Sequence, residues 1–214
     1  MDARAGSGSL SVALKTGSAA EHARAEQSPF VTELLAGRVN TLGYGDYLLR
    51  LRVVYAALEE AVRARRSDPL VAAVYDPVLE RLPAIEADLE YWKPQGSNDL
   101  DSPAVEAYRH RIVESSWGGA LLAHHYTRYL GDLSGGQAIA KILDRTFNLR
   151  GAGLAMYRFA LRPKHFKDHY RARLDALRLS PDAVRRAVDE VRVAFGLNQA
   201  MFDELSANLS SYRR

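Results

Sequence analysis

Apolar residues recur every three or four positions along most of the chain, and this spacing predicts helices. The longest such run goes from Ala120 to Phe147, where Leu121, Leu122, Tyr126, Tyr129, Leu130, Leu133, Ile139, Ile142 and Leu143 keep the helical period. Helix starts are marked by an oxygen-bearing residue before proline, at Ser28-Pro29, Asp68-Pro69, Asp76-Pro77, Ser102-Pro103 and Ser180-Pro181. The side-chain oxygen can cap the free N–H groups of a first turn, and proline fits the first helical position. The pattern predicts helices over 10–26, 29–36, 42–66, 69–74, 78–92, 103–116, 120–147, 163–177 and 181–208. Residues 93–101 are expected as a loop, 148–152 as a turn, and the stretch to Arg162 as irregular. Period-two alternation between turn signals is absent, so no sheet is expected. Connections are short and no internal repeat is present. The expectation is a single all-α domain over residues 10–208, built by helix-on-helix packing, with a disordered tail at 1–9 and a C-terminal tail at 209–214.

One stretch in the longest run departs from this regularity: Tyr129-Leu130-Gly131-Asp132-Leu133-Ser134-Gly135-Gly136-Gln137. Each glycine inside a helix costs about 1 kcal/mol relative to alanine. Gly131 and Gly135 are four apart and share a face, which leaves a trough of bare backbone. A trough of this kind suits a second helix at close range, or a flat ligand lying on the backbone. Arg128, Asp132, Ser134 and Gln137 flank it and could order water.

Composition narrows the function classes. The chain has 214 residues, 47% of them hydrophobic and 26% charged, enough for one sizeable core and too ordered in character for a disordered protein. A net charge of +3 without a Lys/Arg run gives no sign of nucleic-acid binding. Zero cysteines exclude disulfides, thiolate metal sites and cysteine nucleophiles, and fit a reducing cytoplasm. No apolar stretch is long enough to span a membrane, and no membrane anchor is expected. No apolar stripe is left over, so a monomer is expected.

Three further constellations could carry chemistry. His22 and Glu26 are four apart, so Glu26 could accept from one imidazole nitrogen while the other binds a metal; as a bare pair they are more often an exposed His–Glu contact. Lys15 lies seven residues, two turns, before His22. Tyr55 falls on the apolar stripe of a long helix, where a tyrosine is usually core. Lys167 and Arg171 stand one turn apart in a basic stretch from Lys164 to Arg173, fit either to hold carboxylates or to form a solvated face.

Taken together, these segments resemble the haem oxygenase family. Ala123-His124-His125-Tyr126-Thr127-Arg128-Tyr129-Leu130-Gly131-Asp132-Leu133-Ser134-Gly135-Gly136 is similar to the family's distal-helix signature. Leu14-Lys15 with Glu21-His22-Ala23-Arg24-Ala25-Glu26 resembles its proximal segment. Tyr55-Ala56-Ala57-Leu58-Glu59-Glu60, Phe166-Lys167 with Tyr170-Arg171-Ala172-Arg173, and Ala194-Phe195-Gly196-Leu197-Asn198 with Phe202-Asp203-Glu204-Leu205 resemble further blocks, in order, over residues 10–208. The resemblance implies haem held between a proximal and a distal helix, as both cofactor and substrate. It implies His22 as axial iron ligand with Glu26 as its hydrogen-bond partner. Gly131 and Gly135 would lie against the haem face, and Asp132 would organise distal water with Tyr55 and Arg128. Lys15, Lys167 and Arg171 would bind the propionates. The implied reaction uses O2 and electrons from outside the chain, delivered by a ferredoxin system or an NADPH-dependent reductase. It opens haem at the alpha-meso carbon to biliverdin, carbon monoxide and ferrous iron. A non-catalytic haem carrier with the same fold is the alternative, though storage would not require Asp132, Arg128 and both glycines. A relative relying on a cysteine nucleophile is excluded by the absence of cysteine. No role is assigned to His125.

Overall fold

The computed structural model describes residues 9–92, 100–160 and 162–214. Residues 1–8 of the tail expected at 1–9, and 93–99 of the loop expected at 93–101, lie outside the described residues. Among the described residues there is no strand ladder, only an isolated antiparallel bridge between Val39 and Arg213. The helices are α1 (Leu10–Gly17), α2 (Ala19–Glu26), α3 (Pro29–Leu35), α4 (Thr41–Ala64), α5 (Pro69–Ala72), α6 (Leu82–Trp92), α7 (Pro103–Val113), α8 (Gly118–Gly131), α9 (Gln137–Phe147), α10 (Pro163–Ala176), α11 (Pro181–Ala207) and α12 (Leu209–Tyr212).

The Ser/Asp-Pro pairs act as caps. Ser28, Ser102 and Ser180 accept from the N–H three residues on, at 3.4, 3.3 and 3.2 Å. Asp68 accepts from Leu70 at 2.8 Å, and Asp76 starts a 3-10 turn over Pro77–Leu79. Each cap contributes about 1 kcal/mol.

Three expected helices come out differently, one of them the run over 120–147, which divides into α8 and α9 around Asp132–Gly136. The single helix expected over 10–26 is α1 and α2, divided at Ser18. At Gly17 the chain crosses α11 so closely that a Cβ would lie 2.5 Å from Val188 Cγ1. Arg192 Nε takes the Gly17 carbonyl at 2.7 Å, and the Ser18 hydroxyl donates back to Leu14 O at 2.7 Å. Lys15 and His22 therefore sit on different helices, and the two-turn spacing does not set their relative position. The helix expected over 78–92 begins at Leu82. Its first N–H groups are capped from α4, where Glu59 Oε1 accepts from Arg81 N at 2.5 Å and Leu82 N at 3.2 Å.

The core runs along α4, α8 and α11. α8 packs along α11, and α4 lies against α6 and α7. Leu48, Leu51, Val54, Tyr55 and Leu58 of α4 have no exposed surface. Burying an aliphatic side chain of this size contributes about 1.5–3 kcal/mol. α12 returns to the start of α4, where Tyr212 lies over Gly43 so tightly that a Cβ there would come within 2.7 Å of the ring. Residues 209–214, set apart in the sequence as a tail, thus pack on the domain through Tyr212 and the Val39 bridge.

The segment after α9 is anchored from α6. Asp88 accepts from Ala155 N at 2.7 Å and Met156 N at 2.8 Å, and Trp92 Nε1 donates to Gly153 O at 2.6 Å. These bonds bring Tyr157 beside the glycine stretch.

Candidate functional site

Between α8 and α9 the helix widens into a π turn over Asp132–Gly136. Such turns are rare and frequent at functional sites. The glycines in and beside it have different uses. A Cβ on Gly136 would lie 3.1 Å from the Tyr157 ring, so this glycine serves packing. A Cβ on Gly131 or Gly135 would meet nothing within 4 Å. The backbone at these two positions is bare without being packed against a helix. Of the two readings of the trough, open space for a flat ligand is the one the surroundings favour.

At the edge of this trough lies a buried polar cluster drawn from three helices. Tyr55 of α4 donates a short hydrogen bond to Asp132 Oδ2. Arg128 of α8 donates from Nε to Tyr55 Oη at 3.2 Å and from Nη1 to Asn198 Oδ1 of α11 at 2.6 Å. Its other terminal nitrogen lies 3.7 Å from Asp132 Oδ1. Tyr55 has no exposed surface, and Arg128 and Asp132 are buried. Burial raises the Asp132 carboxyl above its usual range, while the Arg128 charge and the Tyr55 hydrogen bond pull it back. Burial likewise holds Tyr55 well above the ordinary tyrosine range, so it stays a neutral donor. Oδ2 accepts from Tyr55, and Oδ1 faces the Arg128 guanidinium.

The other residues singled out in the sequence lie around this centre. Lys167 of α10 reaches the π turn, its Nζ donating to Ser134 Oγ at 2.9 Å. Arg171 pairs with Asp168 at 3.1 Å on the exposed side of α10, and Lys15 is exposed on α1. His22 is about half exposed, with Nδ1 3.5 Å from Glu26 Oε2 and its ring edge-on to Phe195 of α11 at 5.3 Å. Three residues further along α11, Asn198 bonds Arg128. One helix thus touches both His22 and the Arg128 cluster.

Several members of the buried network carry no sequence assignment. Asn198 signals itself only as an amide on the buried face of α11, and Tyr108 as a buried phenol whose hydroxyl has no hydrogen-bond partner. Glu59, besides capping α6, accepts from Tyr129 Oη at 3.0 Å. His125 Nδ1 lies 2.9 Å from Tyr170 Oη, joining α8 to α10. Burial and the Arg173 charge hold its imidazole down at about 3. His124 Nε2 lies 3.1 Å from Glu190 of α11, which Arg111 also grips.

Comparisons with known proteins bear on the family and the fold. Residues 8–204 match the family model described as heme oxygenase. A heme oxygenase of Rhodella violacea is 36% identical over 206 residues, covering 93% of this chain and 88% of that one. The crystal structure of heme oxygenase-1 from Synechocystis in complex with heme superposes with a TM-score of 0.89 at 36% identity, covering 95% of each chain. Heme oxygenase from Leptospira interrogans superposes with a TM-score of 0.86 at 33% identity, over 92% of this chain and all of that one. A family model matched over most of the chain, and relatives 36% identical along nearly its whole length, lead to one assignment: the chain belongs to the haem oxygenase family.

Proposed function

We propose that this protein binds haem against the Gly131–Gly135 trough and cleaves it at the alpha-meso carbon, giving biliverdin, carbon monoxide and ferrous iron. The observation that carries this reading is the open backbone at both glycines with an ion-paired carboxylate at its edge. Bound haem supplies an iron that activates dioxygen and, in the same molecule, the carbon bridge that is cut. His22 holds the iron through its imidazole, and Glu26 accepts from Nδ1 to fix the tautomer. Gly131 and Gly135 let the backbone approach the ring face and offer no side-chain acid there. Asp132 orders water while Tyr55 and Arg128 hold the carboxylate in place. Lys15, Lys167 and Arg171 hold the two propionates by charge-assisted hydrogen bonds, which fixes the in-plane rotation of a nearly symmetric ligand.

Electrons come from a separate donor, a ferredoxin system or an NADPH-dependent reductase. The basic stretch of α10, with Lys164, Lys167 and Arg171, suits an acidic donor, and raised salt should then slow turnover. The protein acts as a monomer in the cytoplasm. The alternative, a carrier that stores haem, has no use for a buried Arg128–Asp132–Tyr55 cluster. The test is one equivalent of haemin added to the protein, followed by reductant in air. A sharp haem band lost in His22→Ala, then decay to biliverdin with release of carbon monoxide, is the expected outcome. Tight binding without ring opening under a competent ferredoxin system would establish the carrier.

A further inference from the structure

We propose that Asp175 is a positioning residue that registers the two halves of the propionate clamp and thereby sets which meso carbon is cut; the proposal rests on the haem reading above. Asp175 lies on α10 and its carboxylate reaches Ser11 on α1. Oδ1 accepts from the Ser11 backbone N–H at 2.8 Å, and Oδ2 accepts from the Ser11 hydroxyl at 2.9 Å. Both oxygens of one carboxylate are thus committed to one residue 164 positions away in the chain.

The two partners stand at matching places on their helices. Lys15 follows Ser11 by four residues, one turn along α1 on the same face. Arg171 precedes Asp175 by four residues and Lys167 precedes it by eight, one and two turns along α10 on the same face. The staple therefore joins the cation-bearing face of one helix to that of the other. α1 is only eight residues long; its C-terminal end is held on α11 through Gly17 and Arg192, and the Asp175 bonds hold its N-terminal end on α10. Ser11 N is one of the first four amides of α1, which lack an intrahelical partner, and the negative carboxylate at this end also suits the helix dipole. The bond is thus satisfied on both sides and directional, unlike a greasy contact that tolerates sliding. Sliding matters here because a clamp on two propionates discriminates between rotations of the ligand only if its cations keep their separation.

The experiment compares Asp175→Ala, Ser11→Ala, the double variant and Asp175→Asn. Asp175→Ala should raise the fraction of biliverdin isomers other than alpha at least about fivefold and weaken haemin binding by up to about tenfold. In the haem-free protein, amide hydrogen exchange should quicken over α1. Ser11→Ala keeps the backbone bond and should give a smaller change. The double variant should be no worse than Asp175→Ala alone, because both remove one coupled contact. Asp175→Asn retains one acceptor and should restore most of the alpha isomer. A single alpha isomer with parent haemin affinity in Asp175→Ala, while Lys167→Glu/Arg171→Glu mixes isomers, would overturn the staple. If the double charge reversal also yields only the alpha isomer, the clamp itself is wrong and Asp175 loses this role with it.

Discussion

Replacing Gly135 or Gly131 by alanine should separate stability from function. Neither added methyl meets a protein atom within 4 Å, and neither glycine has a positive φ. In the haem-free protein the change therefore meets no clash and gains helix propensity, about 0.5–1 kcal/mol for each site. For a chain of this size that raises the melting temperature by about 1–4 °C. Gly136→Ala is the internal control, because its methyl would press on the Tyr157 ring at 3.1 Å and should lower the melting temperature. With haem the sign reverses, because the methyl now occupies the space assigned to the ring. Overpacking of this kind costs about 1–3 kcal/mol, a loss of about 5- to 150-fold in haemin affinity. Thermal melts with and without haemin, and a titration of the haem band, read both effects on the same samples. A Gly135→Ala protein that melts below the parent without haem would show that the glycine is kept for packing. One that binds haemin and forms biliverdin as the parent does would remove the trough from the site.

Other expected outcomes follow from the buried groups. Asp132→Ala should keep the haem band while slowing biliverdin formation by about a hundredfold or more, and turnover at the parent rate would refute the role of Asp132. His125 is held at about 3 in the fold, against about 6.5 when unfolded, so it is neutral in the native state and charges on unfolding. Stability should be full above pH 6.5 and fall below it, by about 2 kcal/mol at pH 5, and urea melts of His125→Gln should show a flatter fall. Glu190 acts lower on the pH scale. Burial alone would raise its carboxyl, but His124 and Arg111 outweigh it and hold it at about 2, so its contribution is present above about 4.5 and lost as pH falls towards 2. Asp88→Ala should destabilise by about 2–4 kcal/mol in urea denaturation, because it strips the Ala155 and Met156 amides of their acceptor.

The features most legible in the sequence were those set by local chemistry. Ser28, Asp68, Ser102 and Ser180 cap because an oxygen one residue before proline has its amide partners close by. The amphipathic period located α4 and α11 to within a few residues, and the run over 120–147 as a whole, which divides into α8, the π turn and α9. What failed was set by distant partners. Nothing between Ala13 and Glu21 announces that Gly17 will meet Val188, and nothing near Leu82 tells that Glu59 will cap it. The π turn was read only as an excess of glycine, since its extra residue has no side-chain signature. Among the site residues, Arg128, Asp132 and Tyr55 were brought together by the family resemblance, and their burial in one cluster is a property of the packing. Asn198 and Tyr108 had only the faint mark of polar groups on apolar faces. His125 gained a partner, Tyr170, that no spacing predicts.

The π turn also bears on how the protein parts with what it makes. Haem is a rigid plate, whereas an opened linear tetrapyrrole twists out of plane, so a wall fitted to the first would grip the second badly. A π turn holds one residue more per loop than an α-helix, and that residue is slack. Asp132, Leu133 and Gly136 of the turn are buried, whereas Gly131, Ser134 and Gly135 face outward, so the exposed side of the turn is the part free to give. With no side chains at Gly131 and Gly135 to collide, and with Ser134 released from Lys167, the wall can yield locally while α11 stays fixed. The product would then leave past a wall of bare backbone, while Asp132 stays held by Tyr55 on the buried side of the same turn.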